Sequence, residues 1–210
     1  HLRDEESINQ FLQEWQVRQI ITNWSNHIMA PVMMRKTKED EEGYEQVNDA
    51  EALWTKNPKE ITEGDYQKFY QTLTHDFNDP LVFDHRHVQS VNTEFRSLLY
   101  IPKQAPMDLY FRDYSKKGLK LYVQRVFIMD EAEQFLPSYL RFIKGIIDCD
   151  DLPLNVSREI LQTNPQTKAI KKSVTKNILS MITKLAKDRP EEYSSFWSES
   201  IFFSMQLIFL

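Results

Sequence analysis

The residues with the best case for chemistry are Arg158, Gln162 and Asn155, in the stretch Leu152 to Gln162, LPLNVSREILQ. Ser157 suits the N-cap of an expected helix that opens with Arg158, and Gln162, four residues on, projects from the same face. Free N–H groups and the positive end of the macrodipole make a helix start favourable for anions. A guanidinium and an amide presented there, with Asn155 in the preceding loop, could grip phosphate oxygens. The plainer alternative is a surface arginine on an ordinary helix.

Other candidates carry less. His85 and His87 are two apart in an expected strand and share a face, but Asp84 points the other way and no further His/Cys cluster joins them. A surface pair is expected rather than a zinc site. Ser157 lacks the G-x-S-x-G elbow of a nucleophile and has no histidine near it in sequence. Cys149 lies between Asp148 and Asp150, which raise a thiol pKa rather than lower it. There is no glycine-rich phosphate-binding motif and no paired-carboxylate signature, so nothing builds a nucleotide pocket unaided.

The elements that must position these residues can be read from patterning. A first helix is expected from a Ser7/Gln10 capping box through Trp15, Ile20, Ile21, Trp24 and Ile28, ending at Pro31. Val32 to Arg35 fits a short strand, and the acidic segment with Gly43 after it fits an exposed loop. A second helix is expected from Thr62, with Asp65 completing its cap and Tyr66, Phe69, Tyr70 and Leu73 as its buried stripe. Between residues 81 and 129, LVFDHRHV, EFRSLLYIP and LKLYVQRVFIM read as three strands. The apolar runs in the last two require cover on both faces of the sheet. A short helix from Pro137 leads into a further strand, FIKGIID, and CDDLPLN reads as a loop. Asn164-Pro165 opens a long helix with Ile170, Val174, Ile178, Met181, Ile182 and Leu185 on one face. Pro190 opens another. The whole is an α/β (α+β) order: a sandwich followed by a helical extension.

The bulk numbers fit that reading. The chain has 210 residues, 41% apolar and 27% charged, enough for a real core. Net charge is -5, which gives no global field for nucleic acid. Seven acidic residues and no basic one lie between Glu39 and Glu51; seven basic and one acidic lie between Ser157 and Lys187. Solvated faces explain both runs; an anion-binding face on Lys168, Lys171, Lys172 and Lys176 is the sharper reading of the second. A lone cysteine points to a reducing compartment, and HLRDEES is followed by no apolar run, so no secretory signal is expected. The terminal IFFSMQLIFL is too short to span a bilayer.

RVFIMDEAEQFLP (Arg125 to Pro137), DDLPLNVSREILQ (Asp150 to Gln162), LWTKNPKEIT (Leu53 to Thr62) and SLLYIPKQAPMDLY (Ser97 to Tyr110) together resemble the middle domain of the heat-shock protein 90 family, in wording closest to its bacterial branch. The resemblance runs in order to Trp197. It implies an α-β-α sandwich around a mixed sheet at residues 7–163, a helical connector at 164–197, and the tail of an N-terminal ATP-binding domain at 1–6. Residues 198–210 are expected to depart from the family. It implies an ATP-driven chaperone of the cytoplasm, a homodimer through a C-terminal domain, acting on client proteins, with no nucleic-acid or membrane partner. The arginine matching Arg158 is expected to contact the γ-phosphate of Mg-ATP held mainly by the N-terminal ATPase domain, which also holds the carboxylate that activates water. Gln162 and Asn155 are expected to support that closed state, and Phe127 to hold the loop. No cofactor is expected in this chain itself, nor activity from it alone. Phe77, where eukaryotic relatives carry a client-linked tryptophan, and Trp54, which fits an exposed aromatic or equally a core one, are the client-binding candidates.

Overall fold

The computed structural model describes residues 13–36, 43–90, 93–104, 118–130, 133–150, 152 and 165–198. The expected Ser7/Gln10 cap, the first part of the acidic loop, the apolar tail, and Asn155, Arg158 and Gln162 lie outside them.

The centre is a five-stranded sheet in the order β3 (Val82–Ser90), β4 (Thr93–Ile101), β7 (Lys144–Cys149), β5 (Leu119–Val123), β6 (Val126–Met129). β5 and β7 run parallel and the other neighbours antiparallel, so the sheet is mixed. Successive strand residues face opposite sides. Leu99 and Ile101 of β4 therefore face one way, with Leu121 of β5 and Ile147 of β7, against the Ile170, Val174, Ile178, Met181 and Leu185 stripe of α3 (Pro165–Asp188). Leu98, Tyr100, Tyr122 and Ile146 face the other way, against Trp54 and against Tyr66 and Tyr70 of α2 (Glu63–Thr74). Helices on both faces make the α-β-α sandwich, and α3 with α4 (Pro190–Phe196) forms the helical extension. α4 closes back on the core through Phe196, edge-on to Phe142 at 5.4 Å.

β7 is buried along its whole length, and one residue sets how closely it approaches β4. Gly145 has φ +149°, and a Cβ there would stand 2.3 Å from the Leu98 carbonyl oxygen. Only glycine meets both conditions. At the α2 start, the Thr62 hydroxyl accepts from the Asp65 N–H and the Asp65 carboxylate accepts from the Thr62 N–H, completing the expected capping box.

Three elements differ from expectation. LKLYVQRVFIM is not one strand but the β5–β6 hairpin, turned by Gln124 (φ 50°) and Arg125 (φ 65°). The first helix, α1 (Glu14–Ser25), stops well short of Pro31. There the Asn26 amide binds the Asp49 carboxylate and its oxygen accepts from the Asp49 N–H, while His27 Nδ1 bonds the Glu51 carbonyl, so the chain turns. The acidic segment also contributes β2 (Tyr44–Gln46), paired antiparallel with β1 (Met33–Arg35). Arg18 of α1 pairs with Glu45 of β2, which ties this ribbon to the first helix.

Candidate functional site

The segment carrying the arginine leaves the sheet at the carboxyl end of β7, its central strand, and returns as α3. What the described residues reveal is how this exit is rooted. Asp148 is 1% exposed, and its carboxylate is shared: Oδ2 accepts from the Trp54 indole N–H at 2.7 Å and Oδ1 from the Arg125 backbone N–H at 3.2 Å. Gln124 donates its backbone N–H to the Cys149 carbonyl and its side-chain amide to the Asp150 carbonyl, each at 3.1 Å. Arg96 Nη1 lies 3.2 Å from both oxygens of Asp150. Leu152, just beyond, is buried in the α3-side core.

The β5–β6 turn therefore grips the exit. Positive φ at both central residues is what a tight two-residue hairpin turn requires, and Asn-Gly usually supplies it. Glutamine and arginine in that region cost on the order of 1–2 kcal/mol each. The bonds to Asp148, Cys149 and Asp150 offset that strain.

Electrostatics follow burial. Desolvation raises the Asp148 carboxyl above its ordinary value; bonds from Trp54 and Arg125 pull it back, Asp150 adds repulsion and Arg96 relieves it. The Cys149 thiol is pushed far up, first by burial and then by Asp148 and Asp150, which keeps it in the protonated, weakly nucleophilic form at neutral pH. Among the described residues no group of three His, Cys, Asp or Glu could hold a metal ion. His85 is half-buried and not a plain surface residue. Its Nδ1 meets the Tyr66 hydroxyl at 2.8 Å and its Nε2 the Trp54 carbonyl at 2.9 Å, and burial lowers its pKa. His87 is exposed and pairs with Glu94.

The other expected site residues separate. Phe127 is buried in the α2-side cluster, edge-on to Trp24 of α1 at 5.2 Å and to Tyr122 at 5.6 Å. Its described partners are Trp24 of α1 and Tyr122 and Lys120 of β5; the loop it is expected to hold lies outside the described residues. Trp54 takes the core alternative and not the exposed one. It is 1% exposed, locked by Asp148 and ringed by His27, Phe69 and Tyr122. A buried indole with a satisfied N–H offers a client no surface in this conformation. Phe77 is the opposite, 92% exposed. Asp76 fixes its loop by accepting from the Tyr70 hydroxyl and from the Asn78 backbone and amide, each at 2.9 Å.

Sequence reasoning missed Asp148, Gln124 and Arg96. One signal was present: an acid closing the apolar run GIID must find donors if buried. A cavity of about 310 Å³ lies elsewhere, between the turn at Leu53 and α2. Lys56 and Lys68 in its wall are balanced by Glu60 and Asp65, which gives it no field for a polyanion. Of the lysines weighed for anion binding, Lys168, Lys172 and Lys176 are exposed at helical spacing on α3 and Lys171 is half-buried.

A family model described as Hsp90 protein matches residues 29–207. The chain belongs to the Hsp90 family. The match carries on into the apolar tail, which had been expected to depart from the family. Chaperone protein HtpG of Vibrio parahaemolyticus is 52% identical over 206 residues, and that of Escherichia coli strain K12 is 52% identical over 204. Each alignment covers 95% of this chain and 32% of the relative. This Hsp90 chain thus spans about a third of the length of the curated relatives it matches. No helix among its described residues is long and apolar enough to cross a membrane.

Proposed function

We propose that this chain is the middle segment of an ATP-driven cytoplasmic chaperone and supplies Arg158 to a nucleotide held by an N-terminal domain of the same protein. The supporting observation is the rooted exit of β7: a segment that must present a guanidinium across a domain boundary starts from a fixed point in the central strand. Family membership and the HtpG relatives, named as chaperones, support the same reading.

In this reading bound Mg-ATP supplies the γ-phosphoryl group that water attacks. Arg158 offsets the charge that builds on the phosphate oxygens, and Gln162 and Asn155 steady the closed arrangement. Phe77, fixed and exposed, contributes apolar surface for clients. A C-terminal domain would make the protein a homodimer.

Changing Arg158 to Ala in the full-length protein should cut ATP turnover by up to about 10³-fold, the low end of arginine-finger effects, while ATP affinity stays within about twofold. The isolated chain should bind little ATP; calorimetry showing micromolar binding would count against a split site. The second reading is a docking module without chemistry. Phe77 favours it equally, and the Arg158 variant separates the two.

A further inference from the structure

We infer that Asp148 is a positioning residue for the arginine segment, its carboxylate tying the segment's root to Trp54 and to the β5–β6 turn. The inference deepens the proposed function and rests on it. Its ground is the arrangement of donors. A buried carboxylate with an indole N–H on one oxygen and a backbone N–H on the other is acceptor-only, and both donors require an acceptor. One residue on, the Cys149 carbonyl receives the Gln124 N–H; two on, the Asp150 carbonyl receives the Gln124 amide. Asp148 thus sits where three parts of the fold meet: the turn at Leu53–Thr55, the hairpin, and the start of the segment bearing Arg158.

Trp54 links this point onward. Its carbonyl holds His85 of β3, and His85 holds the Tyr66 hydroxyl of α2. The root of the segment is thereby connected by side-chain and backbone bonds across the whole α2 face of the sheet. A hydrophobic residue at Asp148 could keep the packing, but it would leave two buried N–H groups without acceptors.

Asp148→Asn makes the test, because it preserves shape and removes the symmetry. Whichever way the amide turns, its NH2 faces one of the two N–H donors. In the full-length protein, Asp148→Asn should lower turnover on the order of tenfold with ATP affinity nearly unchanged. The double variant with Arg158→Ala should be no slower than Arg158→Ala alone, because both changes act through one group. Trp54→Phe, which keeps the ring and removes the indole donor, should show a smaller loss in the same direction. It carries the test if Asp148→Asn does not fold. In this chain, Asp148→Asn should speed amide exchange at Arg125 and Gln124 while protection in α3 persists.

Normal turnover for folded Asp148→Asn beside a slow Arg158→Ala would overturn the positioning role and leave the proposed function standing. Losses that multiply in the double variant would overturn it too, since they would mean independent action. Normal turnover for Arg158→Ala would overturn both.

Discussion

The two faces of the sheet are built from different materials. The α3 face is mainly hydrocarbon: Leu99, Leu121, Ile147, Ile170, Val174 and Ile178 pack with the rings of Phe95, Phe135, Phe142 and Phe196, and one polar contact, the Asn177 amide donating to Asp84 at 2.8 Å, crosses it. The α2 face is aromatic and wired. Tyr66, Tyr70, Tyr100 and Trp54 each bury a ring and each spend a polar atom on a specific partner: His85, Asp76, the Tyr66 carbonyl and Asp148. Aliphatic packing is strong and non-directional, whereas a hydrogen-bonded aromatic fixes orientation. The α3 face therefore supplies most of the non-directional packing, and the α2 face fixes the orientation of the groups bonded to the end of β7.

The largest effect should come from the strand the faces share. Gly145→Val puts a branched side chain against the Leu98 carbonyl at a φ that side chains rarely adopt. It should cost more than about 3 kcal/mol and lose the cooperative melt; a Tm within a few degrees of the parent would contradict the packing described. Next, Ile178→Ala on the α3 face should cost about 2–5 kcal/mol in urea denaturation. It should leave the amide exchange of Arg125 unchanged, and a change there would mean the faces are not separable.

On the α2 face, Tyr100→Phe removes the donor to the Tyr66 carbonyl and should cost about 1 kcal/mol. The smallest effect is a pH dependence confined to that face. Burial lowers the pKa values of His27 and His85, so the unfolded chain takes up protons first. Their contribution is present above the ordinary histidine value of 6.5 and lost as pH falls below it. Asp148 works in the opposite sense at lower pH, because its raised carboxyl is protonated first in the folded state. The urea midpoint should drop between about pH 7.5 and 5.5, a window spanning the histidine value, and drop less in a His27→Gln/His85→Gln variant. An equal drop in both would place the titration elsewhere.

How much of this the sequence carried divides along the same line. The α3 stripe was legible because helical spacing is local and its six apolar residues repeat within one element. The Thr62 cap was legible for the same reason: both partners lie within four residues. The α2-face wiring was not. Trp54 and Asp148 are 94 residues apart, and nothing in LWTK announces that its indole is buried on a carboxylate. The β5–β6 turn hid because Gln124-Arg125 is not turn chemistry; bonds from β7 impose the positive φ that composition does not suggest. Trp54 stood open between core and surface, since an aromatic near a charged loop can face either way until the sheet is placed. Family membership is what gives Arg158 its weight.

The most direct measurement is ATP turnover and ATP affinity, side by side, for the full-length protein and its Arg158→Ala variant. The account predicts turnover reduced by two to three orders of magnitude, roughly the lower range of arginine-finger effects, with affinity within about twofold. Turnover near that of the parent, with the variant folded, would contradict it.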